Sequence, residues 1–375
     1  MVGSAIYQNL KLKGFNNLIG RSSSELDLRN QSKVSEFFLQ EKPDYVFLAA
    51  AKVGGIHAND KYKAIFIYDN IAIQNNIIHQ SYKAGVKKLL FLGSSCIYPK
   101  AAPQPIKEDY LLTGPLEQTN EPYAIAKIAG IKMCQSYNYQ YGTNFISVMP
   151  TNLYGRNDNY NLETSHVLPA IIRKLFLGKC VEDNNWAAIR KDLEQNSVGK
   201  VSSSPSIKDI QAILNTFGIE FNEFVGESSF SQSNKHIDPK EPGHQNKLKI
   251  NGTRKVKIKL WGSGSPLREF LHADDLADAC VFLMENYNLK NNSKNEKIVE
   301  SDRNNIQSYI NVGSGEEISI KDLAKMIKTA IGFKGDIIFD KHMPDGTYRK
   351  FLDSTLLNNL GWTPKISLKR GIDQI

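Results

Sequence analysis

Three short apolar runs, each closing on small or polar residues, set what this chain can fold into. Asp44-Tyr-Val-Phe-Leu-Ala-Ala-Ala51 follows Pro43, Val86-Lys-Lys-Leu-Leu-Phe-Leu-Gly-Ser-Ser95 comes second, and Asn144-Phe-Ile-Ser-Val-Met-Pro150 third. Each has the length and the Val, Ile, Leu or Phe content of a strand buried on both faces. Between them lie helical patterns. One covers 65–84, with Ile67, Ile71, Asn75 and Ile78 on one side, and another covers 123–141. Strand–helix–strand repetition predicts an α/β fold with a doubly wound, Rossmann-like parallel sheet. In such sheets ligands sit beyond the carboxyl ends of the strands, so the residues just after each run are the ones to examine.

Composition narrows the function classes. The 375 residues are 41% hydrophobic and 23% charged, ordinary for a globular protein, and at about 150 residues per domain the length suggests two to three domains. No run approaches the roughly 18 apolar residues of a membrane span, and the first residues lack a secretion signal. Cys96, Cys134, Cys180 and Cys280 are far apart, without metal or disulfide spacing, which makes a reducing cytoplasm the default. The net charge of +8 is compatible with nucleic acid or with an anionic small substrate such as a nucleotide sugar. Its lysines are dispersed and cluster only near 248–259, which argues against nucleic acid. Residues 183–256 are rich in Ser, Asn, Lys and Glu and read as loop. The exception is 206–219, a helix with Ser206 as N-cap and Gly218 as its stop. Residues 287–306 form a second polar segment, and no internal repeat is present.

Tyr123-Ala-Ile-Ala-Lys127 places a phenol and an ammonium four apart, on one face of a helix. The ammonium is expected to lower the phenol's pKa and suit it to trade a proton. Alone, this spacing equally describes a surface helix pair. Ser94-Ser95-Cys96 ends the second strand and puts hydroxyls at the sheet's carboxyl edge, facing that helix. Ser, Tyr and Lys together suit hydride transfer at a carbonyl: Ser and Tyr hold the oxygen, Tyr supplies the proton, and Lys tunes Tyr and binds ribose.

Longer blocks carry a specific resemblance. GGIHAND, FLGSSCIYP, TNEPYAIAKIAGIK, MPTNLYG, SHVLPA, LWGSGSPLREFLHADDLADA, INVGSG and PDGTYRKFLD, in this order over about 1–180 and 257–370, resemble the GDP-L-fucose synthases. These are extended short-chain dehydrogenase/reductases that act on GDP-4-keto-6-deoxy-D-mannose, as 3,5-epimerase and NADPH-dependent 4-reductase. The resemblance implies a homodimer through a helix bundle and a GDP-sugar substrate, with neither nucleic acid nor membrane as partner. It also implies an NADP-binding domain over 1–160 and a smaller, mostly substrate-binding α/β region over 161–375, parts of which return to the first sheet. By matching motif, Ser94, Tyr123 and Lys127 take the reductive roles, and Cys96 and His166 the epimerisation roles. A C4 ketone acidifies the protons at C3 and C5. Inverting either carbon needs a base on one side of the ring and an acid on the other; a partly thiolate Cys96 suits the first and His166 the second. The bland readings are a buried small residue for Cys96 and a helix N-terminal residue for His166.

The cofactor contacts expected are Gly3, Arg21, Ala49, Ala50, Ala51, Tyr123, Lys127, Pro150, Asn152, Leu153 and His166. In the family a first strand leads into a G-x-x-G-x-x-G turn that holds pyrophosphate at a helix N-terminus. Met1-Val-Gly3-Ser-Ala matches only the tail of that turn, with Gly3 as its third glycine, so the reading frame is expected to continue upstream, with Met1 an internal methionine. Arg21 follows Leu18-Ile19, where a second strand should end, and a guanidinium there suits the NADP 2′-phosphate; the alternative is a solvated loop Arg. Ala49–Ala51 leave room for the cofactor backbone or simply pack, and Lys52-Val-Gly-Gly55 begins the active-site loop. Asn152 is a polar contact or a turn stabiliser.

For the sugar nucleotide, Arg268, Lys350 and Lys174 match basic ligands, with surface salt bridging as the alternative. Trp261 borders the nucleotide or packs in the core. Tyr348 stands where the family has Pro. The 183–256 insertion is a lid over the sugar or a tolerated surface insertion. Residues 365–375 read as an amphipathic final helix cut short. Two other functions accompany the main one. The first is a related GDP-sugar epimerase/reductase, for example on a 4-keto-heptose; the second is a non-catalytic remnant that binds a GDP-sugar or a partner but not NADPH.

Overall fold

The computed structural model describes residues 1–196, 205–222, 254–289, 307–343 and 345–375. All three apolar runs become strands: β1 (Tyr45–Leu48), β2 (Lys88–Leu92) and β3 (Phe145–Pro150). With β8 (Tyr309–Val312) they make a parallel sheet in the order β1-β2-β3-β8. Side chains alternate across it, as the two-residue period of a strand requires. Leu89, Phe91, Phe145 and Met149 face one core with Ile77, Ile78 and Ile131, from α4 (Lys63–Lys83) and α5 (Glu121–Tyr141). Leu90, Leu92, Ile146 and Val148 face a second core with Ile6, Leu276 and Leu283, from α1 (Val2–Leu12) and α9 (Ala273–Asn286). The sheet is therefore doubly wound, as predicted.

Two close contacts fix this sandwich. A Cβ on Gly130 would lie 2.5 Å from the Phe91 ring, so only glycine lets α5 approach β2 this closely. Lys88, a charge at the start of a central strand, is buried, and its Nζ donates to the carbonyls of Leu283, Met284 and Tyr287. A cation at the C-terminus of α9 satisfies carbonyls that helix geometry leaves open.

At the other end of the order, β1 pairs only with β2 among the described residues. The strand expected at Leu18-Ile19 does not form; residues 15–22 take no regular structure. A strand needs a hydrogen-bonding neighbour, and residues 15–22 pair with no strand among the described residues. α2 (Gln31–Glu41) follows, capped by the Asn30 side chain.

Two smaller sheets carry the C-terminal half. In one, β6 (Val256–Trp261) lies between β10 (Asp336–Asp340), parallel, and β5 (Ile219–Phe221), antiparallel. In the other, β7 (Leu267–His272) lies between β4 (Asn152–Tyr154) and β11 (Arg349–Lys350), all parallel, with β9 (Glu317–Ser319) antiparallel to β7. α6 (Val167–Glu182) and α10 (Ile320–Ile331) pack into the shared core.

The described parts of 183–256 correct the loop reading. α7 (Trp186–Gln195) and β5 join the expected helix, α8 (Ile207–Thr216). Ile189, Leu193, Ile210, Leu214, Ile219 and Phe221 all enter the core. α7 was hidden because its apolar stripe is two residues wide in a polar helix. Residues 197–204, 223–253 and 290–306 lie outside the described residues, so the rest of the insertion, the 248–253 half of the 248–259 cluster and most of the 287–306 segment do too. At the C-terminal end α12 (Leu368–Asp373) follows the short α11 (Thr355–Asn359). Gly371 of α12 sits so close to Tyr154 that a Cβ would lie 2.1 Å from its hydroxyl.

Candidate active site

The loops leaving β1, β2 and β3 converge with α6 and β11. At the end of β2, Ser94 caps a single 3₁₀ turn, Ser95–Ile97. Its hydroxyl accepts from the Cys96 N–H at 3.2 Å and hydrogen-bonds the Tyr123 phenol. Tyr123 stands on the first turn of α5, its ring edge-on to Phe66 at 6.4 Å. One turn on, Lys127 is buried. Its Nζ donates to the Leu92 carbonyl at 2.7 Å and lies 4.7 Å from the Phe91 ring and 5.8 Å from the Tyr123 ring.

The electrostatics differ from the expectation that Lys127 lowers the phenol's pKa. Burial raises the Tyr123 pKa, and the nearby Cys96 raises it further; only the Ser94 hydrogen bond works downward. Burial pushes Lys127 down to about 7. A dry pocket disfavours both charged forms, so the Lys127 ammonium is itself too costly to dominate its neighbour.

The second group gathers opposite. The Lys350 Nζ lies 3.3 Å from Cys96 Sγ. Arg268, its register partner on β7, interacts electrostatically with Cys96 and Asp345, while burial lowers its own pKa. His166 is the N-cap residue of α6, with extended backbone and an exposed side chain. Its surroundings still desolvate the ring enough to lower its pKa, and the Lys350 charge adds to this. The loop of Gly54 and Gly55 presses on the approach to His166: the Gly55 N–H donates to the Thr164 carbonyl at 2.8 Å. A Cβ on Gly55 would lie 2.4 Å from the Ser165 carbonyl oxygen. The buried Asn59 donates to the Gly54 and Gly55 carbonyls and holds that loop.

The structure thus brings Ser94, Cys96, Tyr123, Lys127, His166, Arg268 and Lys350 into one region. A thiol and an imidazole flanked by a cation, beside a hydroxyl–phenol–amine set, can move protons at carbon and at a carbonyl oxygen.

The remaining candidates are placed as follows. Gly3, in the first turn of α1, abuts Ala49 at the end of β1; a Cβ on Gly3 would meet that of Ala49 at 3.7 Å. The first turn of α1 carries no acidic residue, so this end of the helix fits an anionic cofactor. Ala50 and Ala51 continue from β1 into the loop. Arg21 pairs with Glu41 at 2.7 Å and stacks near Phe37. Pro150 is buried at the end of β3, Leu153 packs on the second core, and Asn152 donates to the Glu269 carbonyl at 2.9 Å. That bond serves β7, not a turn. Lys174, on α6, donates to the Lys259 carbonyl at 3.1 Å, and burial pushes it down to about 8. Trp261 is 62% exposed, which excludes the core-packing reading.

Sequence reasoning missed two carboxylates. Glu269 is fully buried beside Arg268 and accepts from the Gly315 and Leu352 N–H groups. Asp345 accepts from the backbone and hydroxyl of Ser263 and faces Arg268. The signal for Glu269 was a carboxylate next to Arg268 in a strand that continues into Phe270 and Leu271; Asp345 gave none.

The NAD dependent epimerase/dehydratase family model matches residues 1–192 and 223–298. GDP-L-fucose synthase 1 of Arabidopsis thaliana is 46% identical over the whole chain and 88% of its own length. GDP-L-fucose synthase of Escherichia coli K12 is 41% identical over 99% of the chain and 91% of its own length. Among solved structures, a GDP-D-glycero-L-gluco-heptose synthase from Campylobacter jejuni, determined in the presence of NADPH, is 38% identical. It superposes with a TM-score of 0.80, covering the whole chain and 93% of its own.

Proposed function

This chain belongs to the NAD-dependent epimerase/dehydratase family, among the GDP-L-fucose synthases, and from that premise we propose the reaction it performs. It converts GDP-4-keto-6-deoxy-D-mannose to GDP-L-fucose by 3,5-epimerisation and NADPH-dependent 4-keto reduction. The observation that carries this reading is the single site in which Cys96, His166 and Lys350 adjoin Ser94, Tyr123 and Lys127.

NADPH supplies the hydride when bound. Gly3, Ala49, Ala50 and Ala51 would leave room for its phosphates at the N-terminus of α1, and Lys127 would hold its ribose. Pro150, Asn152, Leu153 and His166 would border its nicotinamide end, and Arg21, paired with Glu41 here, would meet the 2′-phosphate. Cys96 removes the proton from C3 and then C5, and His166 returns a proton on the opposite face. The C4 ketone makes both steps feasible by delocalising the carbanion as an enolate. Tyr123 then protonates O4 as C4 is reduced, with Ser94 holding that oxygen. Arg268, Lys350, Lys174 and Trp261 hold the GDP-sugar. Desolvation keeps the Tyr123 proton in place until charge develops on O4.

The enzyme works as a homodimer in the cytoplasm. Exposed Ile65, Tyr68 and Ile125 on α4 and α5 support the dimer, and four unpaired cysteines support a reducing compartment. No helix among the described residues is long and apolar enough to cross a membrane. The heptose synthase likeness makes a 4-keto-heptose the competing substrate. Comparing kcat/KM for the two GDP-ketosugars tests the assignment: the deoxymannose sugar is preferred if the assignment holds, and preference for the heptose overturns it.

A further inference from the structure

The family resemblance gives Lys350 to the substrate, yet in this structure its ammonium is on the sulfur. Nζ lies 3.3 Å from Cys96 Sγ. The lysine is also held there. On one side Leu352 donates to the buried Glu269 carboxylate at 3.2 Å. On the other, Phe351 donates to the Gln104 side chain at 2.8 Å and accepts from the Ile106 N–H at 2.7 Å. These bonds fix the backbone just after Lys350, from which its side chain reaches Cys96. The other groups facing Cys96 are the Arg268 guanidinium and the Tyr123 phenol, and Lys350 acts electrostatically on His166 too.

We propose that Lys350 is a catalytic residue of the epimerisation, the counter-cation that keeps Cys96 available as a thiolate base. This rests on the reading of the site as an epimerase/reductase. The thiolate takes the proton from C3 or C5 and forms S–H. The electron pair of the broken C–H bond passes into the C4 carbonyl as an enolate. The enolate pair then forms the new C–H bond with a proton from the His166 ring on the opposite face. Lys350 keeps its three protons throughout and contributes charge alone; sulfur and ring regain their starting protonation by exchange with water before the second carbon is inverted. A cation at hydrogen-bond distance strengthens such a pair over a neutral contact, and the thiolate, not the thiol, is the reactive form.

The test uses the full chain without substrate or cofactor. Cys134, Cys180 and Cys280 are buried, leaving Cys96 as the accessible thiol. Iodoacetamide labelling of Cys96 is followed at pH 7 by peptide mapping, in the natural chain, Lys350→Met and Lys350→Arg. Labelling is expected to slow roughly tenfold in Lys350→Met, which leaves the thiolate without its counter-cation, and to stay within about threefold in Lys350→Arg, which keeps the charge. Equal rates in Lys350→Met and the natural chain would overturn the proposal and leave Lys350 a substrate ligand only. If Lys350→Met does not fold, Lys350→Gln carries the same expectation and the same overturning result. Labelling proceeds without turnover, so this result stands apart from whether the chain makes GDP-L-fucose.

Discussion

Single-atom changes separate the two half-reactions. Tyr123→Phe removes the proton for O4 and is expected to lower reduction by about 10²- to 10⁴-fold. It should leave deuterium wash-in from heavy water at C3 and C5 intact, which mass spectrometry of recovered substrate would show. Cys96→Ser should do the reverse, abolishing wash-in while the tyrosine machinery remains. Lys127 gives a pH prediction. Its folded pKa of about 7 lies below that of an unfolded lysine, so above pH 7 the unfolded chain holds the proton that the folded chain has lost. Stability therefore rises with pH. Lys88 and Lys174, at about 8, act in the same direction, whereas burial of Cys134, Cys180 and Cys280 raises their thiols and works the other way above about pH 8.5. The melting temperature should climb from pH 7 to 8.5, and climb less in Lys127→Met; a fall over that window in the natural chain would contradict the burial argument. At this scale Ser94 and Cys96 could be proposed because they lie just beyond β2, and Tyr123 and Lys127 because they share one face of α5. The Lys350–Cys96 contact was not: 254 residues separate the partners, and no local pattern records a meeting of that kind. The expected influence of Lys127 on Tyr123 failed because spacing reports distance but not dryness.

Elements reach the site through backbone contacts. Gly55→Ala would push a Cβ against the Ser165 carbonyl, a clash that costs about 1–3 kcal/mol. Since that segment leads into His166, epimerisation should fall more than reduction, which the wash-in assay and NADPH oxidation report separately. Lys88→Met would leave three carbonyls at the end of α9 without their donor. It should lower stability by about 3 kcal/mol, readable in urea unfolding; no change would mean that water takes the lysine's place. α4 and α5 could be read from sequence because their periodicity runs for many residues, and β1, β2 and β3 because each is a short apolar run; β2 and β3 are buried as expected, whereas β1 is only part-buried, with Tyr45 exposed. α8 could be read from its cap: Ser206 and Asp209 form a reciprocal capping box. α7, β5 and β11 could not. They are short, and what stabilises them is supplied by distant partners: the shared core for α7, β6 for β5 and β7 for β11.

For the whole molecule, the doubly wound sheet and α5 present Ser94, Cys96, Tyr123 and Lys127, α6 presents His166, and one of the two smaller sheets brings Arg268 and Lys350 to meet them. β7 and β11 carry Arg268 and Lys350 side by side to the turn where β2 ends. If α4 and α5 form the dimer contact, the chain should elute as a dimer and Ile65→Asp with Ile125→Asp should convert it to monomer; an unchanged elution volume would place the contact elsewhere. One site both epimerises and reduces in the proposed reaction. The most direct measurement is turnover of GDP-4-keto-6-deoxy-D-mannose with NADPH in heavy water, with the product's configuration and isotope content determined by NMR. The account predicts GDP-L-fucose carrying deuterium at both C3 and C5; a reduced sugar with neither carbon labelled, or no oxidation of NADPH, would contradict it.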